Sequence, residues 1–127
     1  MDPTQSIFSS AARKPFPFME KPSVKSDEML LQVLYCGICG TDIHASKDGP
    51  FKAPQNTIFG HEFVGSIVEI GNDLETSDFS VGDRVTSLPF IGDKTIGLGA
   101  LGGAYSQFVK VGHELVVKIP DQLSDIE

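Results

Sequence analysis

The strongest constraint on how this chain can fold is the short interval between its turn residues. Thirteen glycines and eight prolines are spread through 127 residues, and the apolar runs between them are only seven to nine residues long. Runs of that length suit strands and are too short for helices of ordinary size. The candidates are MLLQVLY (29–35), EFVGSIVEI (62–70), DRVTSLP (83–89), AYSQFVKV (104–111) and ELVVKIP (114–120). The first alternates Met29, Leu31, Val33 and Tyr35 on one face, while Leu30 and Leu34 make the other face apolar too. The second is rich in β-branched residues and closes on Gly71-Asn72-Asp73, a turn signal. The last alternates Leu115, Val117 and Ile119 and stops at Pro120. Many short strands at this spacing predict a mainly β fold, a barrel or a sandwich. One short helix is expected over residues 41–47 (TDIHASK), where the strand pattern lapses.

Composition then removes several classes of function. Hydrophobic residues make up 40% and charged residues 21%, which suits a globular domain. A net charge of −7 argues against nucleic acid or an anionic membrane surface as partner, because both attract basic faces. No apolar run approaches the roughly 18–20 residues needed to span a bilayer. The first 18 residues lack the apolar core of a secretory signal. The two cysteines, three positions apart, allow no long-range disulfide framework, so the chain is expected to work in the cytoplasm. Near the C-terminus Ser124 and Glu127 fit the S-x-x-E box that opens a helix, yet no helix body follows. Residues 1–127 therefore read as one domain, expected to be a fragment of a longer chain.

Gly97-Leu98-Gly99-Ala100-Leu101-Gly102 spells G-x-G-x-x-G, the dinucleotide fingerprint. That motif works only between a strand and a helix, where the helix N-terminus receives the pyrophosphate. Here a strand-like run follows, and Gly92-Asp93-Lys94-Thr95, read as a turn, precedes. The stretch is expected to be a flexible loop and not a cofactor site.

Both cysteines fall in CGICGTDIH (36–44), which also holds Asp42 and His44. A thioredoxin-like pair would sit beside a βαβ unit, which the sequence lacks. A closed structural zinc needs four protein ligands, and neither a second Cys-x-x-Cys pair nor a close histidine pair is present. A catalytic zinc needs fewer ligands and keeps a position open. Phe59-Gly60-His61-Glu62-Phe63 supplies an imidazole and a carboxylate side by side at the start of an apolar strand. Asp42 fits the carboxylate that receives the other N–H of a ligating histidine, and a Cys39 thiolate at a helix start would gain from the helix dipole. Residue types and spacing alone leave the plainer reading open, in which Cys36 and His61 are ordinary packed residues.

The ordered strings CGICGTDIH, GHEFVGSIVEIG and VGDRV, with Gly60, His61, Glu62 and Gly65 meeting G-H-E-x-x-G, resemble the zinc-dependent alcohol dehydrogenases of the medium-chain dehydrogenase/reductase superfamily. The likeness runs from about residue 28 to 119. It implies a GroES-like, partly open β-barrel with one or more short helices. It further implies Cys39 as the catalytic zinc thiolate, His61 as the imidazole ligand, and Glu62 as an acid that coordinates zinc directly in some members. Asp42 would be the carboxylate that orients the histidine. Thr41 would accept the substrate alcohol's proton and His44 would pass it to solvent, the two lying three apart on the helix. The implied chemistry is alcohol–carbonyl interconversion on a small-molecule substrate, with hydride transfer to NAD or NADP and zinc as Lewis acid. Cys36 would only pack.

Two departures shape the expectation. Many family members carry a second zinc in a four-cysteine lobe where this chain has LPFIGDKTIGLGALGG (88–103), so one catalytic zinc and no structural zinc is expected. In the family the third protein ligand and the Rossmann cofactor domain lie beyond the point where this sequence stops. The resemblance thus implies an N-terminal GroES-like domain, inactive alone, of an enzyme expected to be a homo-oligomer. The readings that compete are a zinc-free reductase of the quinone oxidoreductase type and a non-catalytic GroES-like binding module. Ile43, Phe51, Phe59 and Phe90 are candidates to line an apolar substrate pocket, and HASKDGPF (44–51) is reminiscent of the polyol and butanediol branch.

Overall fold

The structure, a computed structural model, describes residues 20–99 and 101–127. In chain order its regular elements are β1 (Glu28–Cys36), α1 (Gly40–Ala45), β2 (Phe63–Ile70), β3 (Arg84–Ser87), β4 (Phe90–Ile91), β5 (Lys94–Thr95), β6 (Phe108–Gly112) and β7 (Val116–Lys118). Five strands form one antiparallel sheet in the order β6-β1-β2-β3-β7, and β4 with β5 makes a separate hairpin. Among the described residues the sheet stays open at β6 and β7. This is the mainly β, partly open architecture with a short helix that the sequence predicts.

One face of the sheet carries the core. Met29, Leu31, Phe63, Ile67, Val85, Val109, Val111 and Leu115 are buried together, with Leu74, Ile96 and Ala104 closing the cluster. Fully burying an aliphatic side chain of this size contributes about 1.5–3 kcal/mol, so this layer supplies most of the favourable energy.

Departures from the expected strands have local causes. Along β1 Met29, Leu30 and Leu31 are all fully buried, so both faces are covered at this end, but Tyr35 is 56% exposed. A register shift between Val33 and Tyr35 opposite β2 leaves Leu34 as an extra residue and turns the strand end outward. The 104–111 run becomes a strand only at Phe108. The 114–120 run opens with a 3-10 turn, His113–Leu115, which resets the phase, so Val116 is buried and Val117 faces solvent. The turn placed at 92–95 is tighter than expected, since Lys94 and Thr95 pair back on Ile91 and Phe90. At the C-terminus the Ser124 N–H does donate to Glu127 Oε2 at 2.9 Å, the bond the S-x-x-E box specifies.

What the fold does for the site follows from one pairing. Cys36 ends β1 opposite Phe63, which begins β2. The segment leaving β1 and the segment entering β2 therefore emerge at the same end of the sheet. The Gly37 N–H fastens them by donating to the Glu62 carbonyl at 2.7 Å. Gly65 lets the strands approach, because a Cβ there would stand 3.0 Å from the Gln32 carbonyl oxygen.

Candidate metal centre

Cys39, His61 and Glu62 each offer a ligand atom, and the three atoms lie within 4.8 Å of one another. Donors disposed tetrahedrally at zinc distances of 2.0–2.3 Å stand roughly 3.5 Å apart, so small side-chain rotations would close the set. Cys39 caps α1, and His61 and Glu62 precede β2. His61 is buried and Glu62 exposed. The approach to His61 is shaped by Gly60, at φ +99°. A Cβ there would lie 2.7 Å from the Tyr105 backbone nitrogen and 2.9 Å from Cys36 Sγ. Left-handed backbone and a packed neighbour together require glycine.

Asp42, buried in α1, organises the surroundings. Its Oδ2 accepts from the Cys39 N–H and from the Tyr105 hydroxyl, each at 2.9 Å. Its Oδ1 faces His61 Nδ1 at 3.3 Å, and neither of these buried atoms has another hydrogen-bond partner among the described residues. A proton on Nδ1 shared with Asp42 leaves Nε2 of His61 to offer a metal. A soft thiolate, an imidazole and a carboxylate, with a buried carboxylate behind the imidazole, is a donor set that suits zinc.

The two cysteines stand apart in character. Both are free. Cys36 is half-buried against the main core and its thiol donates to the Gly37 carbonyl at 3.6 Å. Burial, aided by the charge of Asp42, pushes that thiol up to about 12, so it stays protonated. Cys39 Sγ instead lies 3.6 Å from Thr41 Oγ1.

A cleft of about 550 Å³ opens beside the centre, lined by Thr41, His61, Glu62, Thr86, Ser87, Pro89, Phe90 and Leu98. Thr41 is thus at both the donor set and the cleft. His44 is exposed on α1 and is not among the cleft's lining residues. Of the apolar candidates, Phe90 lines the cleft. Phe59 is buried with Ala45 and Ala53 in a small second core, and Ile43 and Phe51 are exposed. The glycine loop has no helix after it; Gly97 packs on Gly60, where a Cβ would meet the Gly60 carbonyl oxygen at 2.4 Å. Gly103 likewise packs on the Ile58 and Phe59 carbonyls, just before His61.

Sequence reasoning missed Tyr105, Thr86 and Ser87. Tyr105 was read only as part of a strand. Its hydroxyl reaches Asp42 and the Gly37 carbonyl, at 3.1 Å, from 63 and 68 positions away. Burial and the Asp42 bond hold its hydroxyl above the ordinary phenol range, so it remains a donor. The one signal available was its place just after Gly102-Gly103, at the entrance to a strand.

The model of the alcohol dehydrogenase GroES-like domain matches residues 25–121. The chain belongs to that family. It is 32% identical over 130 residues to the (R,R)-butanediol dehydrogenase of Bacillus subtilis, a match covering 84% of this chain and 37% of that protein. The crystal structure of the 2R,3R-butanediol dehydrogenase from Bacillus subtilis superposes with a TM-score of 0.83 at 30% identity, covering 96% of this chain and 42% of that one. A chain from Sinorhizobium meliloti, described as a zinc-binding dehydrogenase and bound to NADP, superposes with a TM-score of 0.84 at 26% identity, covering 98% and 41%. The chain thus spans well under half the length of these relatives. Within the family, the fold is the GroES-like domain of medium-chain dehydrogenases, and the relatives include proteins named as alcohol, butanediol, mannitol and sorbitol dehydrogenases. No helix among the described residues is long and apolar enough to cross a membrane.

Proposed function

We propose that this chain provides the zinc-holding, substrate-facing domain of an NAD(P)-linked alcohol or polyol dehydrogenase. The observation that carries the reading is the convergence of Cys39, His61 and Glu62 within 4.8 Å, beside a cleft. Cys39, His61 and Glu62 would hold the ion, and Asp42 would keep His61 in the ligating tautomer. Zinc bound there would supply Lewis-acid polarisation of a substrate hydroxyl. Thr41, on the cleft wall, would take the hydroxyl proton from the substrate. His44, three residues along α1 and exposed, would hand it to solvent. Phe90 and Leu98 would give the cleft an apolar wall for a small alcohol's carbon chain. Among the described residues no strand–glycine loop–helix unit is present, so NAD or NADP is assigned in this proposal to a separate domain.

Zinc per chain, measured by elemental analysis on the parent, Cys39→Ser and His61→Ala, tests the reading. Near-stoichiometric zinc in the parent and its loss in both variants is expected. A zinc-free parent, or variants that retain the metal, would contradict it.

A further inference from the structure

Tyr105 touches both halves of the metal centre. On the Cys39 side its single hydroxyl proton goes to Asp42 Oδ2 at 2.9 Å, the shorter contact, with the Gly37 carbonyl oxygen 3.1 Å away. On the His61 half its backbone N–H donates to the Phe59 carbonyl at 2.8 Å, and the neighbouring Ala104 N–H donates to the Gly60 carbonyl at 2.9 Å. Its ring fills the space over Gly60, with Cδ1 2.8 Å from where a Cβ would stand. The backbone bonds would survive any residue but proline at this position, whereas the hydroxyl bond to Asp42 would not survive loss of the hydroxyl.

The carboxylate of Asp42 explains why the hydroxyl matters. Rotation about its terminal torsion is soft, so a single donor on Oδ2 defines its plane weakly. Two donors, the Cys39 N–H and the Tyr105 hydroxyl, meet at Oδ2 from different segments. Because a carboxylate is planar, fixing Oδ2 also fixes where Oδ1 points. Oδ1 points at His61 Nδ1, 3.3 Å away, in a buried position where that nitrogen has no other partner among the described residues.

We propose that Tyr105 is a positioning residue for the metal centre: its hydroxyl locks the Asp42 carboxylate so that Asp42 holds His61 in the ligating orientation. The inference rests on the zinc reading above and extends the centre to a residue 63 positions from Asp42. A phenylalanine would keep the ring over Gly60 and free the carboxylate to turn. The ligand set would remain, with His61 less well aimed.

The test is a Co²⁺ titration of the purified full chain, followed by the metal's visible d–d absorption, with zinc affinity measured by competition against a chelator. Parent, Tyr105→Phe, Asp42→Asn, the double variant and Cys39→Ser are compared, and Tm is recorded for each without metal. Tyr105→Phe is expected to weaken Co²⁺ and zinc binding about tenfold, the usual scale for outer partners of a ligating histidine, and to shift the d–d bands. The double variant should bind as Asp42→Asn does, because Tyr105 acts through Asp42. A Tyr105→Phe chain with parental affinity and spectrum would overturn the proposal, and a lowered Tm alongside those parental values would assign Tyr105 a folding role only. Additive losses in the double variant would overturn it as well. A parent that binds no Co²⁺, or a Cys39→Ser chain that binds it as the parent does, would sink the zinc reading itself and this proposal with it. Parental binding lost in Cys39→Ser but untouched in Tyr105→Phe sinks this proposal alone.

Discussion

The sheet core and the candidate metal corner at the end of β1 and β2 are built on opposite principles. In the core, Met29, Leu31, Ile67, Val85 and Leu115 are fully buried apolar side chains whose exact partners matter little so long as volume is filled. In the corner, Asp42 and His61 are buried polar groups joined to Cys39 and Tyr105 by a few directed contacts. One region is stabilised by area, the other by geometry. Stability and metal binding should therefore be separable by mutation.

The largest expected effect breaks the core and leaves the corner's chemistry alone. Ile67→Ala removes a fully buried side chain from the middle of β2 and should cost about 2–5 kcal/mol of folding stability, read by denaturant unfolding of the metal-free chain. Below its unfolding midpoint the variant should still bind zinc as the parent does. Loss of zinc affinity in the fully folded variant would show that the two regions are not separable.

A finer effect concerns the two cysteines, which the comparison assigns to different regions. Cys36 belongs to the core: its thiol, raised to about 12 mainly by burial, is the protonated form at neutral pH. The thiolate is the nucleophile, and the charged form of an acid with a raised pKa is populated only above that value. At pH 8 the thiolate fraction is on the order of one in ten thousand. Iodoacetamide at pH 8, followed by peptide mass spectrometry, should leave Cys36 unmodified in the folded chain and label it in denaturant. Fast labelling of folded Cys36 would place its sulfur in the corner's chemistry.

The same contrast explains what could be read before folding. Strands β1, β2 and β3 were legible because apolar spacing reports a buried face directly. The outward turn of Tyr35 was not, because a register shift against β2 leaves no mark in β1's own pattern. Nor was the inward position of Val116, which depends on a three-residue 3-10 turn resetting the phase. At the corner, residue types and spacing left the plainer reading open and the family resemblance named Cys39, Asp42, His61 and Glu62; the structure brings these four together. The same motif named His44, which lies outside the cleft lining, and could not name Tyr105. A contact between residues 63 apart is fixed by tertiary structure, where Gly97 packs on Gly60 and Gly103 on Phe59. Local sequence carries no record of it.

In the proposed centre one sulfur, from Cys39, and not a Cys36–Cys39 pair, would serve the metal. X-ray absorption at the zinc edge of the zinc-loaded chain tests it most directly. A single sulfur neighbour at about 2.3 Å is expected, with nitrogen and oxygen neighbours at about 2.0–2.2 Å. Two sulfurs, or none, would contradict it.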